Sequence, residues 1–359
     1  MKPRFIAPLL KIAGKLFIGI VLIPSAALAA TAPALPSYAV DAKQASVSGL
    51  SSGAFMAAQF HVVYSSTLIG AGIIAGGPYY CALSNPSQMP AITALTTCMS
   101  PLDGKGPDAV ALVAQAKVNV QQGLIDDLSN LQKSRVYLFS GTADTTVRTI
   151  VVDQAAEFYK LAGIAADHIE YSSNIAAGHA IITANSNDTA CSATAPPFVN
   201  DCHFIQSQKI LEQIYGKLNP PVTTLSGSII SFNQKEFIHK IFSGMSDEAY
   251  AYVPKSCEAQ TCKVHVAFHG CEQGSEKIGN LFYTKTGYNE LADSNHIIVL
   301  YPQVRASNGF FSPFNPKGCW DFWGYSDLNP FHLTYFTNKG NQMTAIKEML
   351  DRMAQPRHQ

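Results

Sequence analysis

A serine between two glycines, in residues 49–53, matches G-x-S-x-G, a pattern that can display a catalytic nucleophile. In this pattern the serine, here Ser51, stands on a sharp turn between a strand and a helix. Side chains at Gly49 and Gly53 would collide, because the helix passes close to its strand. The amide of Ser52 would open that helix, where unpaired N–H groups and the positive end of the helix dipole suit an oxyanion. Such a short pattern also arises by chance, so its meaning depends on partner residues.

An acid and a histidine follow the serine along the chain. Asp144 comes after a predicted strand at 135–141, and His179 lies on a turn of small residues after a predicted strand at 168–172. Singly, Asp144 could cap a turn and His179 could be a core or loop histidine. The order Ser51, Asp144, His179, with both partners after strands, is the chain order of the α/β-hydrolase triad and favours catalysis.

The elements that must position these residues alternate between strand and helix, which predicts an α/β fold with a mostly parallel central sheet flanked by helices. Strands are predicted at 40–48, 68–75, 135–141, 168–172, 228–232, 249–253, 262–268 and 297–301. Helices are predicted at 54–64, 108–130, 151–162, 204–215, 287–295 and 341–353, and a loop at 81–105. In the 108–130 helix the predicted inward residues are Val110, Val113, Val118, Leu124, Ile125 and Leu128.

A strand that stops at His269-Gly270 predicts the loop that completes an oxyanion hole. In lipases and esterases this loop precedes the nucleophile, whereas here it follows Ser51 by about 220 residues. A circular permutation explains this order, with the connector around Pro220-Pro221 joining what were once the two chain ends. We therefore predict a circularly permuted α/β-hydrolase fold.

Six motifs are spread along the chain: Gly49-Leu50-Ser51-Ser52-Gly53, Gly141-Thr142-Ala143-Asp144, Ala177-Gly178-His179, Phe268-His269-Gly270-Cys271, Leu300-Tyr301-Pro302-Gln303 and Gly318-Cys319-Trp320-Asp321-Phe322-Trp323-Gly324-Tyr325. Together they resemble the secreted polyhydroxybutyrate (PHB) depolymerases of the circularly permuted, single-domain type. The resemblance covers most of the chain after residue 29. It implies a serine esterase that cleaves polyesters, with Ser51 as nucleophile, His179 as general base and then acid, and Asp144 orienting the imidazole.

The resemblance also implies the surroundings of the nucleophile. The backbone N–H groups of Ser52 and Cys271 would hold the oxyanion, and a Cys271–Cys319 disulfide would fix the oxyanion loop. An aromatic side chain at the substrate crevice is expected at Trp323, with Trp320 as the alternative. A polyester carbonyl is neutral, so the reaction needs a nucleophile, a base and directed amides rather than a charged pocket.

The composition of the chain limits the kinds of ligand that it is expected to bind. The chain has 359 residues, 47% of them hydrophobic, with 25 Lys and Arg against 25 Asp and Glu. This balance gives no basic surplus for nucleic acid and favours a neutral or apolar substrate. No CxxC or HExxH pair supports zinc, so we expect neither a metal nor a cofactor. The partner that we expect is a polyester or its oligomers, and the protein is expected to be a monomer.

Residues 1–29 have the pattern of a signal peptide, with basic residues, an apolar run from 16 to 23 and small residues at 27–29. Cleavage after Ala29 is favoured over a retained anchor, because the apolar run is too short to span a bilayer. No later stretch is apolar enough for a transmembrane helix. Export to the periplasm or the medium is therefore expected, with residues 30–359 forming a single catalytic domain.

Eight cysteines in an exported chain favour disulfides over metal sites. Their grouping along the chain predicts four pairs of neighbours: Cys81 with Cys98, Cys191 with Cys202, Cys257 with Cys262, and Cys271 with Cys319.

The substrate is less constrained than the chemistry. Seven aromatic residues crowd a Gly- and Pro-rich region, of which we expect about two at the substrate: Phe310, Phe311, Phe314, Trp320, Phe322, Trp323 and Tyr325. We expect no separate polymer-binding module, so amorphous polymer or oligomers are as plausible as granules. The alternatives are a feruloyl or acetyl esterase acting on polysaccharide, which shares the His-Gly-Cys and Cys-Trp motifs, and a non-catalytic exported binding protein.

Overall fold

Thirteen strands are present in the computed structural model, which describes residues 1, 3, 32–309 and 312–357. They are β1 (Ala45–Leu50), β2 (Leu68–Ile74), β3 (Arg135–Phe139), β4 (Ile169–Ser172), β5 (Ile181–Thr183), β6 (Thr189–Ala190), β7 (Val199–Asp201), β8 (Ser228–Asn233), β9 (Glu248–Val253), β10 (Lys263–Phe268), β11 (Ile297–Tyr301), β12 (Ser307–Asn308) and β13 (Phe314–Asn315). The predicted signal peptide lies outside the described residues, apart from Met1 and Pro3. Ala32–Gln359 forms one compact unit.

Nine α-helices connect and cover the strands in the described part of the chain. They are α1 (Ser52–Val63), α2 (Pro90–Thr93), α3 (Ala109–Gln121), α4 (Thr149–Leu161), α5 (Gln206–Tyr215), α6 (Ser275–Ile278), α7 (Leu281–Lys285), α8 (Tyr288–Asn295) and α9 (Asn341–Ala354). None of the helices in residues 32–309 and 312–357 is both long and apolar enough to cross a bilayer.

Eight strands form the central sheet in the order β4-β3-β2-β1-β10-β11-β9-β8. The strands from β4 to β11 are parallel to their neighbours, and β9 and β8 add an antiparallel edge. Side chains alternate between the faces of a strand. On one face the hydroxyl of Ser48 in β1 is hydrogen-bonded to the hydroxyl of Tyr288 in α8. On the other face the ring of Phe268 in β10 packs against the ring of Phe60 in α1. Helices therefore cover both faces, which confirms the predicted layers.

The chain enters this sheet in two blocks. Strands β1 to β4 form one half, β8 to β11 form the other, and they meet where β1 pairs with β10 from Ala45↔Val264 to Gly49↔Phe268. Because these two strands are parallel, the turn after β1 and the loop after β10 emerge side by side. The backbone N–H of Tyr38 donates to the carbonyl of Met353 at 3.0 Å, so residues before β1 adjoin the end of α9. This arrangement confirms the permuted order.

Two local predictions were wrong. Residues 81–105 are not only loop: they hold a 3-10 helix (Cys81–Leu83), α2 and a π-helical turn (Ala94–Met99). Helix α3 ends at Gln121, and it exposes 66% of Val110 and 40% of Val118 while burying Leu112 and Ala116. The side chain of Asp108 caps α3 by accepting from the amides of Val110 and Ala111. Small apolar residues lie all round this helix, so their spacing does not identify the buried face.

Candidate active site

Ser51 stands on the turn between β1 and α1 with φ 59° and ψ −123°. A positive φ is unusual for a residue with a side chain and stores backbone strain. The turn is held from both sides, because the Ser51 amide donates to the carbonyl of Ile74 at 2.9 Å and the Ser51 carbonyl accepts from Ala54 and Phe55. The Ser51 residue is only 5% exposed. This is the strained turn that the G-x-S-x-G pattern predicts.

The two glycines of the pattern leave no space for a side chain. A Cβ at Gly49 would lie 2.3 Å from the carbonyl of Gly53, and a Cβ at Gly53 would lie 2.4 Å from the carbonyl oxygens of Phe268 and His269. These are backbone atoms that cannot rotate away. The first turn of α1 therefore packs directly on the carboxyl end of β10, which brings the nucleophile turn against the His269-Gly270 loop.

His179 and Asp144 form a buried pair. His179 Nδ1 lies 2.7 Å from Asp144 Oδ2, and the two residues are 5% and 4% exposed. The other carboxylate oxygen, Oδ1, accepts from the amides of Thr146 and Val147 at 2.8 and 3.0 Å. Asp144 thus caps its own turn and also binds the histidine. With Nδ1–H donated to the carboxylate, Nε2 is the ring atom that can accept a proton.

Ser51 and His179 line one cavity of about 330 Å³. Within the described residues, no hydrogen bond joins Ser51 Oγ to the His179 ring, and such bonds often form only when substrate is bound. The walls of the cavity also include Thr194, whose hydroxyl accepts from the His179 amide at 2.9 Å, and Cys271. The structure therefore brings the three residues of the predicted triad to one site, although they come from separate loops.

Two backbone amides beside Ser51 are the candidates for an oxyanion hole. Ser52 is the first residue of α1, so its amide has no partner within the helix. The Cys271 amide donates no hydrogen bond to any described residue. A Cβ at Gly270 would lie 3.5 Å from Ser51 Cβ, which puts the loop after β10 next to the nucleophile. The Gly270 amide is already used, because it donates to Gln273 Oε1 at 2.7 Å.

His269 holds this loop from within the core. Its Nε2 accepts from the Val304 amide at 3.2 Å, and its Nδ1 lies 2.7 Å from the Gly270 carbonyl oxygen. Burial lowers the pKa of His269 to about 4. A neutral ring with the proton on Nδ1 satisfies both contacts, so this histidine fixes the loop and is not available as a base.

All eight cysteines form disulfides, in the four pairs that their spacing predicts: Cys81–Cys98, Cys191–Cys202, Cys257–Cys262 and Cys271–Cys319. Two of them adjoin the site. Cys271–Cys319 ties the loop after β10 to the segment before Trp320, and Cys191–Cys202 pins the loop that carries Thr194.

An apolar pocket of about 310 Å³ adjoins the Ser51 cavity, and the two share Met99, Cys271 and Lys317. Its walls are almost entirely carbon, and Trp323 and Phe322 form part of them. The pocket is lined by Ala91, Ala94, Leu95, Met99, Cys271, Phe314, Asn315, Pro316, Lys317, Cys319, Phe322 and Trp323. Leu95 and Met99 were missed from the sequence because their segment was predicted to be a loop.

Trp320 does not reach either cavity. It is completely buried, with its ring 5.0 Å from that of Phe268 and 5.6 Å from that of His269. Its placement at the substrate crevice is therefore corrected: Trp320 packs against the end of β10 and the loop that follows it, and Trp323 is the tryptophan of the pocket. Phe310 and Phe311 lie outside the described residues.

The site holds no arrangement suited to a metal. In residues 32–309 and 312–357, no three His, Cys, Asp or Glu side chains come together as ligands would.

Known proteins are similar to this chain in both sequence and fold. The chain is 41% identical over 326 residues to the poly(3-hydroxybutyrate) depolymerase of Delftia acidovorans. This alignment covers 89% of the chain but only 61% of the relative, so the chain spans less than two thirds of the relative's length. It is 36% identical over 342 residues to the polyhydroxybutyrate depolymerase of Talaromyces funiculosus, covering 91% of this chain and 94% of that one. No protein-family model matches the chain.

Solved structures agree with these sequences. The crystal structure of the PHB depolymerase from Penicillium funiculosum matches with a TM-score of 0.79 at 34% identity, over 89% of this chain and 98% of that chain. A serine-to-alanine variant of a PHB depolymerase, complexed with an R3HB trimer, matches equally well. The chain has the α/β-hydrolase fold and belongs to the polyhydroxybutyrate depolymerase family.

Proposed function

We propose that the protein is a serine esterase that hydrolyses poly(3-hydroxybutyrate)-type polyesters or their oligomers through an acyl-enzyme. The observation that carries this proposal is the buried His179–Asp144 pair, with Nδ1 and Oδ2 2.7 Å apart, whose histidine lines the same cavity as Ser51. The names of the relatives support the same substrate class, and the R3HB trimer bound to one of them supports oligomers as ligands.

In the first half of the reaction His179 Nε2 takes the proton of Ser51 Oγ, and the oxygen attacks the ester carbonyl. The negative charge that develops on the carbonyl oxygen is stabilised by the N–H groups of Ser52 and Cys271. Asp144 holds the ring and stabilises the imidazolium. When the tetrahedral intermediate collapses, His179 protonates the leaving alkoxide, the alcohol end of the chain departs, and the acyl group remains on Ser51.

In the second half a water molecule enters the space left by the alcohol. His179 removes one of its protons, and the hydroxide attacks the acyl carbonyl while the same two amides hold the oxyanion. Collapse of this second intermediate breaks the bond to Ser51, which regains its proton from His179. The released product is a hydroxy acid or a short oligomer with a free carboxyl end.

The apolar pocket suits the neighbouring unit of such a chain. A polyester offers methyl groups, methylenes and uncharged carbonyls, and the Trp323 wall presents mainly carbon to them. Leu95 and Phe314, at the pocket, are 60% and 69% exposed, and Met89 and Ile92 on the α2 side are also exposed. Exposed apolar side chains around a site favour adsorption of an apolar polymer. We place the polymer chain across this surface, with Trp323 at the crevice.

We also propose that the protein works outside the cytoplasm. Four disulfides persist in oxidising compartments, and they agree with the signal-peptide pattern of residues 1–29.

The test compares the wild type with Ser51→Ala and His179→Gln on amorphous poly(3-hydroxybutyrate), with released 3-hydroxybutyrate and its oligomers quantified by chromatography. The wild type should release them, and both variants should lose at least 10³-fold in rate while keeping the wild-type unfolding temperature. Model ferulate and acetate esters of sugars are assayed in parallel. Release of ferulate or acetate without release from the polymer would contradict the proposed substrate, and full activity of Ser51→Ala would contradict the mechanism.

A further inference from the structure

One segment contacts the side chains of both residues whose amides would form the proposed oxyanion hole. This segment, here called the clamp segment, comprises residues 315–320 and begins at the last residue of β13. The Trp320 amide donates to Ser52 Oγ at 3.2 Å, and Cys319 is disulfide-bonded to Cys271. The two residues whose amides would bind the oxyanion come from opposite halves of the permuted chain, and this segment joins them.

A third contact restrains the loop on its far side. The Glu272 amide donates to the Lys317 carbonyl at 2.7 Å, and Lys317 Nζ lies 3.1 Å from Glu272 Oε2. The backbone bond and the disulfide together grip the loop at residues 271 and 272. The Cys271 peptide thus lies between the disulfide at its own side chain and a backbone bond at the next residue, which limits rotation of its N–H.

Several hydrogen bonds hold the Cys319 end of the clamp segment. Asn315 holds the backbone of Cys319 at both ends, because its Oδ1 accepts from the Cys319 amide and its Nδ2 donates to the Cys319 carbonyl, each at 2.9 Å. Tyr325 donates to the same carbonyl at 2.7 Å. Asn315 and Trp320 are 1% and 0% exposed. A segment held in this way can transmit a fixed spacing, whereas a mobile surface loop could not.

We propose that the clamp segment sets the distance and direction between the Ser52 and Cys271 amides, and that the hydroxyl of Ser52 is a positioning group for the oxyanion hole. This inference rests on the proposed esterase function. Oxyanion donors stabilise the transition state only when they are pre-aligned on the developing charge. Ser52 therefore contributes twice: its amide binds the oxyanion, and its side chain attaches that amide to the element that carries Cys319.

The experiment uses Ser52→Ala, which keeps the amide and removes the hydroxyl, and Ser52→Thr, which keeps the hydroxyl. Loss of a whole oxyanion donor lowers kcat by about 10² to 10³; because the amide stays but loses its restraint, we expect Ser52→Ala to lower kcat by about tenfold. The KM for a soluble butyrate ester should not change. The inhibition constant of an alkyl boronic acid, whose adduct with Ser51 places an oxygen in the hole, should rise by the same factor as kcat falls. Ser52→Thr should restore most of both.

Ser65→Ala is the matched control. Ser65 is a buried serine just beyond the other end of α1, where its hydroxyl donates to the Asp127 carbonyl at 3.1 Å, and the loss of this bond should leave kcat and boronate binding unchanged. If Ser52→Ala fails to fold, the Cys271→Ala/Cys319→Ala variant carries the test, since it cuts the other link of the clamp and should show the same fall in kcat with constant KM. When both variants fold, the variant that combines them should lower kcat by less than the product of the two separate decreases, because removing either link already releases the restraint between the two amides.

If Ser52→Ala had the kcat and the boronate affinity of the wild type, the proposed role of the clamp segment would be wrong. It would also be wrong if the substitution changed only KM. These results differ from failure of the proposed function. If Ser51→Ala retained ester hydrolysis, the esterase mechanism itself would be wrong; if Ser51→Ala is inactive while Ser52→Ala behaves as wild type, only the clamp is wrong.

Discussion

Replacing Asp144 by Asn should abolish turnover without disturbing the fold. The two amides of Thr146 and Val147 both donate to Asp144 Oδ1, so the side chain of an asparagine here must keep its oxygen on that side. Its NH₂ group then takes the place of Oδ2, 2.7 Å from His179 Nδ1. Two donors cannot face each other at this distance, so Nδ1 must become the acceptor and the proton must move to Nε2. That tautomer cannot take the proton of Ser51.

The expected decrease in kcat follows from this change of the His179 tautomer. In the chymotrypsin-type triad the same exchange lowers kcat by about 10⁴, which corresponds to about 5 kcal/mol of transition-state stabilisation. We expect a loss of this order in Asp144→Asn, measured as kcat on a soluble butyrate ester near neutral pH, with an unfolding temperature within a few degrees of the wild type. Asp127→Asn is the control, because Asp127 caps an exposed turn by accepting from the Ser129 amide and lies outside the site. If Asp144→Asn kept more than a tenth of the wild-type kcat, the role given to the carboxylate would be wrong.

Three further predictions concern the core and the pocket. His265, buried between the hydroxyls of Ser46 and Ser48, has its pKa lowered by burial to about 3. The unfolded chain binds this proton near pH 6.5, so the contribution of His265 to the free energy of unfolding should fall between pH 6.5 and pH 3, by about 3 kcal/mol at pH 4.5. The loss of stability over this range should therefore be smaller in His265→Gln than in the wild type, and urea titrations in which both lose the same free energy of unfolding would contradict it. Gly53→Ala should yield little folded protein or an inactive site, because the new Cβ meets two backbone carbonyls at 2.4 Å; a soluble variant with normal kcat would refute the close packing of α1 on β10. Trp323→Ala should raise KM for hydroxybutyrate oligomers several-fold more than for a short ester, and equal changes for both would remove Trp323 from the substrate pocket.

The predictable parts of this molecule are those with local causes. Gly49 and Gly53 are required because the turn leaves no space for a side chain, and the structure shows the backbone atoms that a Cβ at either position would contact. Alternating strands and helices, together with the displaced His269-Gly270 motif, predict the permuted sheet because each strand has its own apolar pattern. The disulfide pairs also follow from neighbours along the chain.

What the sequence could not predict depends on contacts between distant segments. The buried face of α3 is undetermined by periodicity because apolar residues surround the helix, and only packing selects Leu112 over Val110. Trp320 and Trp323 are three residues apart in one aromatic motif, yet one is buried against the loop after β10 and the other lines the pocket. The bond from Trp320 to Ser52 spans 268 positions and has no signature in either local sequence.

The central claim is that Ser51 becomes acylated with the help of His179 and Asp144. It is tested most directly by incubating the protein with a fluorophosphonate and locating the adduct by peptide mass spectrometry. We predict one adduct per chain, on Ser51, formed at least 10³-fold more slowly in His179→Gln. An unlabelled wild type, or a label on another residue with Ser51 unmodified, would contradict the account.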